Sequence, residues 1–102
     1  MLGEKSMEHE ILRRIIWTKD ERKSLKDIYF EVLRITDRYY ELRSRNTGHQ
    51  WIIIKQRTGN YSIIFYHKHT RDVAYYHRQC GTHTVKQAIT IIKKHDTYVL
   101  HH

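Results

Sequence analysis

Nine of the 102 residues are histidine, and three of them, His67, His69 and His77, fall where strand geometry brings imidazoles together. Alternate residues of a strand share a face, so His67 and His69 point the same way. A three-residue turn at 70–72 then sets His77 across from Phe65, on that same face. Three imidazoles within reach of one another suit a zinc ion with an open fourth position, the arrangement of catalytic rather than structural zinc. No cysteine or carboxylate pair stands at structural-zinc spacing, so this triad is the minority reading. The expectation is no metal and no cofactor. The histidines are then solvated, stacked on bases or hydrogen-bonded to phosphate, and they charge in mild acid.

The second chemistry is phosphate neutralisation. Between Tyr40 and Gly81 stand seven bases, Arg43, Arg45, Lys55, Arg57, Lys68, Arg71 and Arg78, against only Glu41 and Asp72. That stretch carries +5 of the chain's formal +8, whereas the 39 residues before it hold nine bases and eight acids. Charge focused in this way can neutralise a row of phosphates, and diffuse charge cannot. Tyr61, Tyr66, Tyr75 and Tyr76 interleave with Lys68, Arg71 and Arg78, a composition suited to base stacking. Strand alternation assigns one half of these tyrosines to the core, without saying which half. With His49, His83 and Lys86 added to the seven bases, the expected nucleic-acid contact set is complete. Lys93, Lys94 and His95 read as cations complementing the C-terminal end of a helix dipole.

Other functional classes lack their residues. There is no Gly-rich phosphate loop, no Gly-x-Ser-x-Gly elbow and no Cys/His pair at a recognisable motif. The carboxylates lie mostly before residue 40, interleaved with Lys and Arg as solvated ion pairs. The longest wholly apolar runs, such as Trp51–Ile54, are four residues long, against about 20 for a membrane span. Cys80 is the single cysteine and has no internal disulfide partner. These features predict one cytoplasmic domain over residues 1–102, with residues 1–23 as a separable helical arm. The terminal His101 and His102 are set aside as a native end or a purification-tag remnant.

The elements that must position these groups follow from periodicity. Leu25, Ile28, Tyr29, Val32, Leu33 and Tyr39 follow helical spacing and predict a helix near 25–38, with Ser24 as N-cap and Asp27 in its first turn. An earlier helix uses Met7, Ile11, Leu12, Ile15 and Ile16 and closes at Trp17; Thr18 to Glu21 offers a second cap. After Tyr40 the period falls to two, giving strands near 40–43, 51–55, 61–69 and 73–80. Asn46-Thr47-Gly48 and Thr58-Gly59-Asn60 are turns, and Gly81 ends the sheet. Thr84 and Gln87 form a capping box for a helix over 84–95, followed by an extended Tyr98–Leu100. The fold class is α+β: a two-layer sandwich with an antiparallel meander of three to four strands flanked by helices, in the order (α)αββββα.

This order, and the run Tyr40-Glu41-Leu42-Arg43-Ser44, Thr47-Gly48-His49, Trp51-Ile52-Ile53-Ile54, resembles the double-stranded-RNA-binding domain. The resemblance implies that His49 and its loop meet a minor groove. It maps the family's basic helix start onto Thr82 to Lys86, where Lys86 and His83 are the basic members. Thr47-Gly48-His49 with Gly81-Thr82 also resembles the HicA-type toxins, small ribonucleases of the same fold, which implies His49 as the catalytic residue. The leading expectation is a non-catalytic module binding RNA or DNA. The alternatives are a phage or mobile-element accessory protein that docks on another protein, and the HicA-like ribonuclease.

Overall fold

The computed structural model describes residues 17–57 and 59–101. Helix α1 (Lys19–Leu25) leads into strands β1 (Phe30–Ile35), β2 (Tyr39–Ser44), β3 (Gln50–Lys55), β4 (Ile63–Lys68) and β5 (His77–Thr82), and helix α2 (Val85–His101) follows. All five strands form one antiparallel meander in sequence order. Both helices contribute to a core on one face of this sheet, and α2 packs against α1, β4 and β5. The α+β class therefore stands, with one strand more than expected. No helix among the described residues is long and apolar enough to cross a membrane.

The additional strand lies inside the expected helix over 25–38. The working cap is Thr18: its Oγ1 accepts from Glu21 N at 3.1 Å, and Glu21 Oε1 accepts from Thr18 N at 2.8 Å. The helix so started ends at Leu25. Asp27 then accepts from Tyr29 N at 2.9 Å, a turn that sends the chain into β1. A bulge explains why β1 shows no clean period of two. Val32 pairs with Leu42 and Arg34 with Glu41, which leaves Leu33 as an extra residue. The helix expected before Trp17, and most of the proposed arm, lie outside the described residues. Trp17 itself is buried, donates to Thr36 O at 3.1 Å and meets Tyr40 edge-on at 5.0 Å.

Strand alternation sorts the rest. Tyr40, Leu42, Trp51, Ile53, Ile63 and Phe65 face the helices and meet Val85, Ala88, Ile89 and Ile92 of α2 in one cluster. The four tyrosines interleaved with Lys68, Arg71 and Arg78 do not supply that core: Tyr61 and Tyr75 are exposed, and Tyr66 and Tyr76 are half-buried. Tyr76 donates to Glu41 Oε2 at 2.7 Å and accepts from Gln50 Nε2 at 3.2 Å. Burial, then the bond to Glu41, pushes its phenol well above the ordinary value.

The Thr84–Gln87 box opens α2 as expected, with Thr84 Oγ1 accepting from Gln87 N at 3.1 Å and Gln87 Oε1 from Thr84 N at 3.2 Å. The helix continues to His101, so Tyr98–Leu100 is helical rather than extended. Gly81 lies within β5, paired with Ile64, instead of breaking the sheet. A Cβ there would sit 2.5 Å from the Tyr61 ring, so glycine allows that ring to lie against the strand.

Candidate metal centre

Antiparallel pairing gathers the end of β2, the start of β3, the end of β4 and the start of β5 at one end of the sheet. The turn from β2 to β3 is tight: Gly48 has φ +76°, its N–H reaches Ser44 O at 2.9 Å, and Ser44 N–H reaches His49 O at 2.9 Å. That turn directs His49 inward. The register puts His67 opposite Trp51 on one side and His77 on the other. His77 therefore faces His67 and not Phe65, because β5 begins at 77 rather than 73 and Phe65 pairs with Cys80. It shares the face of His67, but among the described residues the converging donor sets take His49 in place of His77. From above, α2 lowers His95 and Asp96 onto the same spot.

Five imidazoles result, packed ring against ring. His49 Nδ1 lies 2.8 Å from His67 Nε2. His49 stacks on His69 with centroids 4.9 Å apart, and His67 lies 4.9 Å from His69, 5.2 Å from His77 and 4.5 Å from His95. Trp51 forms the apolar floor, stacked on His67 at 4.1 Å. His49 and His67 are buried, whereas His69 and His77 are exposed and form the rim.

Burial, then the neighbouring histidines, holds the His67 imidazole far below its ordinary value, at about 3. Burial also lowers His49 and His95; Asp96 opposes the shift in both. The inner rings are therefore neutral at neutral pH, which is the form a metal requires.

Asp96 is fully buried and serves as the polar anchor of the site. It accepts from Tyr29 OH at 2.6 Å, from Ser44 Oγ, and from Thr47 Oγ1 at 3.2 Å. No ion pair among the described residues includes it. Two sets of three donors lie within 4.8 Å of one another: His49, His67 and His69, and His49, His95 and Asp96. His67 and His69 were legible as candidate ligands from their alternation. His95 and Asp96 were not, because His95 reads as a helix-end cation. It is no such thing, since α2 runs six residues beyond it. The missed signal is Asp96, a carboxyl on the apolar stripe that continues from Ala88, Ile89 and Ile92.

The structure disperses the expected nucleic-acid set. Arg43 pairs with Glu31 at 3.2 Å and Lys55 with Glu21 at 2.7 Å. These acids are distant in sequence and arrive through the topology. Lys68 donates to Val73 O at 3.1 Å and stands over the Tyr76 ring. Arg45, in the β2–β3 turn, and Arg71, in the β4–β5 loop, are exposed at the histidine end, and Arg78 is exposed near the start of β5. Arg57, His83 and Lys86 are exposed at the opposite end, around the β3–β4 turn and the start of α2. His49 is nearly closed to solvent, and Glu41, its nearest acid in sequence, is engaged by Tyr76. Compared with family models, curated proteins and solved structures, the chain matches none.

Proposed function

We propose that the domain binds a divalent transition-metal ion of the zinc class through His49, His67 and His69. The supporting observation is the convergence of their three donor atoms within 4.8 Å. A tetrahedral zinc site needs Zn–N bonds of about 2.0–2.1 Å, which set its nitrogens about 3.3 Å apart, so binding replaces the 2.8 Å His49–His67 hydrogen bond and draws the exposed His69 ring in. An all-imidazole set suits Zn²⁺, Cu²⁺, Ni²⁺ or Fe²⁺ and disfavours Mg²⁺ and Ca²⁺, which take oxygen ligands. Three protein ligands leave the fourth position to water or a substrate at the His69–His77 rim. This is an ion placed to act on a ligand rather than only to brace the fold.

The test is titration of chelator-stripped protein with Co²⁺, read by its visible ligand-field absorption and by calorimetry. The wild-type chain gains the band. His67→Ala and His49→Ala lose affinity by more than the about 10–100-fold that removing an outer-shell partner costs. A wild-type chain that stays colourless with saturating Co²⁺ overturns the reading.

Nucleic-acid binding is the second reading, favoured by one observation. Arg45 and Arg71 are exposed at the same end of the sheet as the histidines, so an anionic backbone approaching the rim meets positive charge. Labelled RNA and DNA, titrated across a salt series, then lose affinity with a log–log slope of about −0.7 to −0.9 per phosphate neutralised. A flat response favours docking on a protein instead.

A further inference from the structure

We infer that the cluster takes a second divalent ion, bound by His49, His95 and Asp96. The inference rests on the first site being real and extends it to a two-ion centre. Three observations carry it. The donor atoms of this set also lie within 4.8 Å of one another. His95 Nδ1 is buried and has no hydrogen-bond partner, a lone pair or N–H that the fold leaves unsatisfied. Asp96 is a fully buried carboxyl with three hydroxyl donors and no ion-pair partner among the described residues. Buried carboxylates are ordinarily paired or coordinate metals, so a cation here resolves two anomalies at once.

The hydroxyls fit the role of outer-shell supports. Tyr29 and Ser44 both engage Oδ2, whereas only Thr47 engages Oδ1, which leaves Oδ1 the freer oxygen to ligate. Such hydrogen bonds hold a ligating carboxylate in orientation. His49 belongs to both sets, and its Nδ1 faces His67. The second ion therefore takes the other nitrogen. His49 would hold both ions, one at each ring nitrogen, and its N–H proton would then pass to solvent. A mixed nitrogen and oxygen set accepts Zn²⁺, Mn²⁺ or Fe²⁺, so one kind of ion can fill both positions.

Equilibrium dialysis of the full chain against Zn²⁺, with the metal content of the protein measured, tests this directly. His101→Ala and His102→Ala are combined in the reference chain to remove adventitious binding at the terminus. The reference chain is expected to hold two ions, and the same chain with His95→Ala or Asp96→Asn only one. Circular dichroism verifies that each variant is folded. The count in the reference chain needs no core substitution and decides the matter if the variants do not fold. One ion in the reference chain overturns the second site and leaves the first standing. Two ions retained in folded His95→Ala and Asp96→Asn also overturn it. No ion in the reference chain overturns the first site, and the second with it.

Discussion

The hydroxyl of Tyr29 donates to the carboxyl of Asp96 at 2.6 Å, joining positions 67 residues apart. One lies at the entry to the first strand and the other in the last helix, so the bond clamps α2 across the sheet. Lys93 adds a second tie on the same helix through Asp27 Oδ2 at 2.9 Å.

Removing the clamp tests its weight. Tyr29→Phe keeps the ring and deletes one donor to a buried carboxyl, and is expected to cost about 1–3 kcal/mol in urea unfolding. The Lys93–Asp27 pair is partly exposed, and Lys93→Ala is expected to cost less than about 1 kcal/mol. Equal losses would mean that the buried bond carries no special load.

The metal-free protein is expected to weaken in acid because of His67. Its folded value lies at about 3, below its ordinary 6.5. Between those values the unfolded chain binds more protons than the folded one, so stability rises with pH across the window. It is lost as pH falls from about 6.5 towards 3, with a slope of up to ~1.4 kcal/mol per pH unit from this group. Unfolding midpoints in chelator, measured from pH 4 to pH 7, check it. His67→Gln should flatten the profile, and an unchanged slope would place the acid sensitivity elsewhere.

Gly81 and Tyr61 form a coupled pair. Gly81→Ala forces a methyl into the Tyr61 ring and is expected to destabilise by about 1–3 kcal/mol, the usual cost of overpacking. In a Tyr61→Ala background the same change should be neutral or favourable, since alanine restricts the unfolded chain more than glycine does. A double-mutant cycle with no coupling would show that the ring moves aside freely.

Helix capping separates two sites that look alike in the sequence. Thr18→Ala is expected to cost about 0.5–2 kcal/mol, because both halves of its box are made. Ser24→Ala should cost under about 0.5 kcal/mol, because Ser24 sits inside the last turn of α1 and caps nothing. The reverse order in thermal melts would restore the helix first read over 25–38.

That misreading has a local cause. In Phe30–Ile35 the bulge at Leu33 spoils alternation, and an edge strand buries only part of its apolar residues, so Leu25, Ile28, Tyr29, Val32 and Leu33 mimic a helical stripe. The central strands were legible because Trp51 and Ile53 face one side and Ile63 and Phe65 share a second, unbroken alternation. His67 and His69 followed from the same rule. The assembly of the site did not. It needs the β3–β4 and β4–β5 registers and the position of α2, all set by contacts between residues distant in the chain. Asp96 alone carried a local sign, a carboxyl where the stripe of α2 calls for an apolar side chain.

The two bulges have a consequence for self-association. Leu33 is the extra residue on β1, and Gln79, between Cys80 opposite Phe65 and Arg78 opposite Tyr66, is the extra residue on β5. Among the described residues these are the outermost strands, the only ones whose outer hydrogen-bonding groups lack a neighbouring strand. Each bulge twists its strand out of line, and each is flanked by an exposed arginine, Arg34 on β1 and Arg78 on β5. A further strand laid alongside would meet a broken ladder and a desolvated charge. The meander is thus protected at both margins against growth into fibres, although its interior strands are rich in isoleucine and aromatic residues.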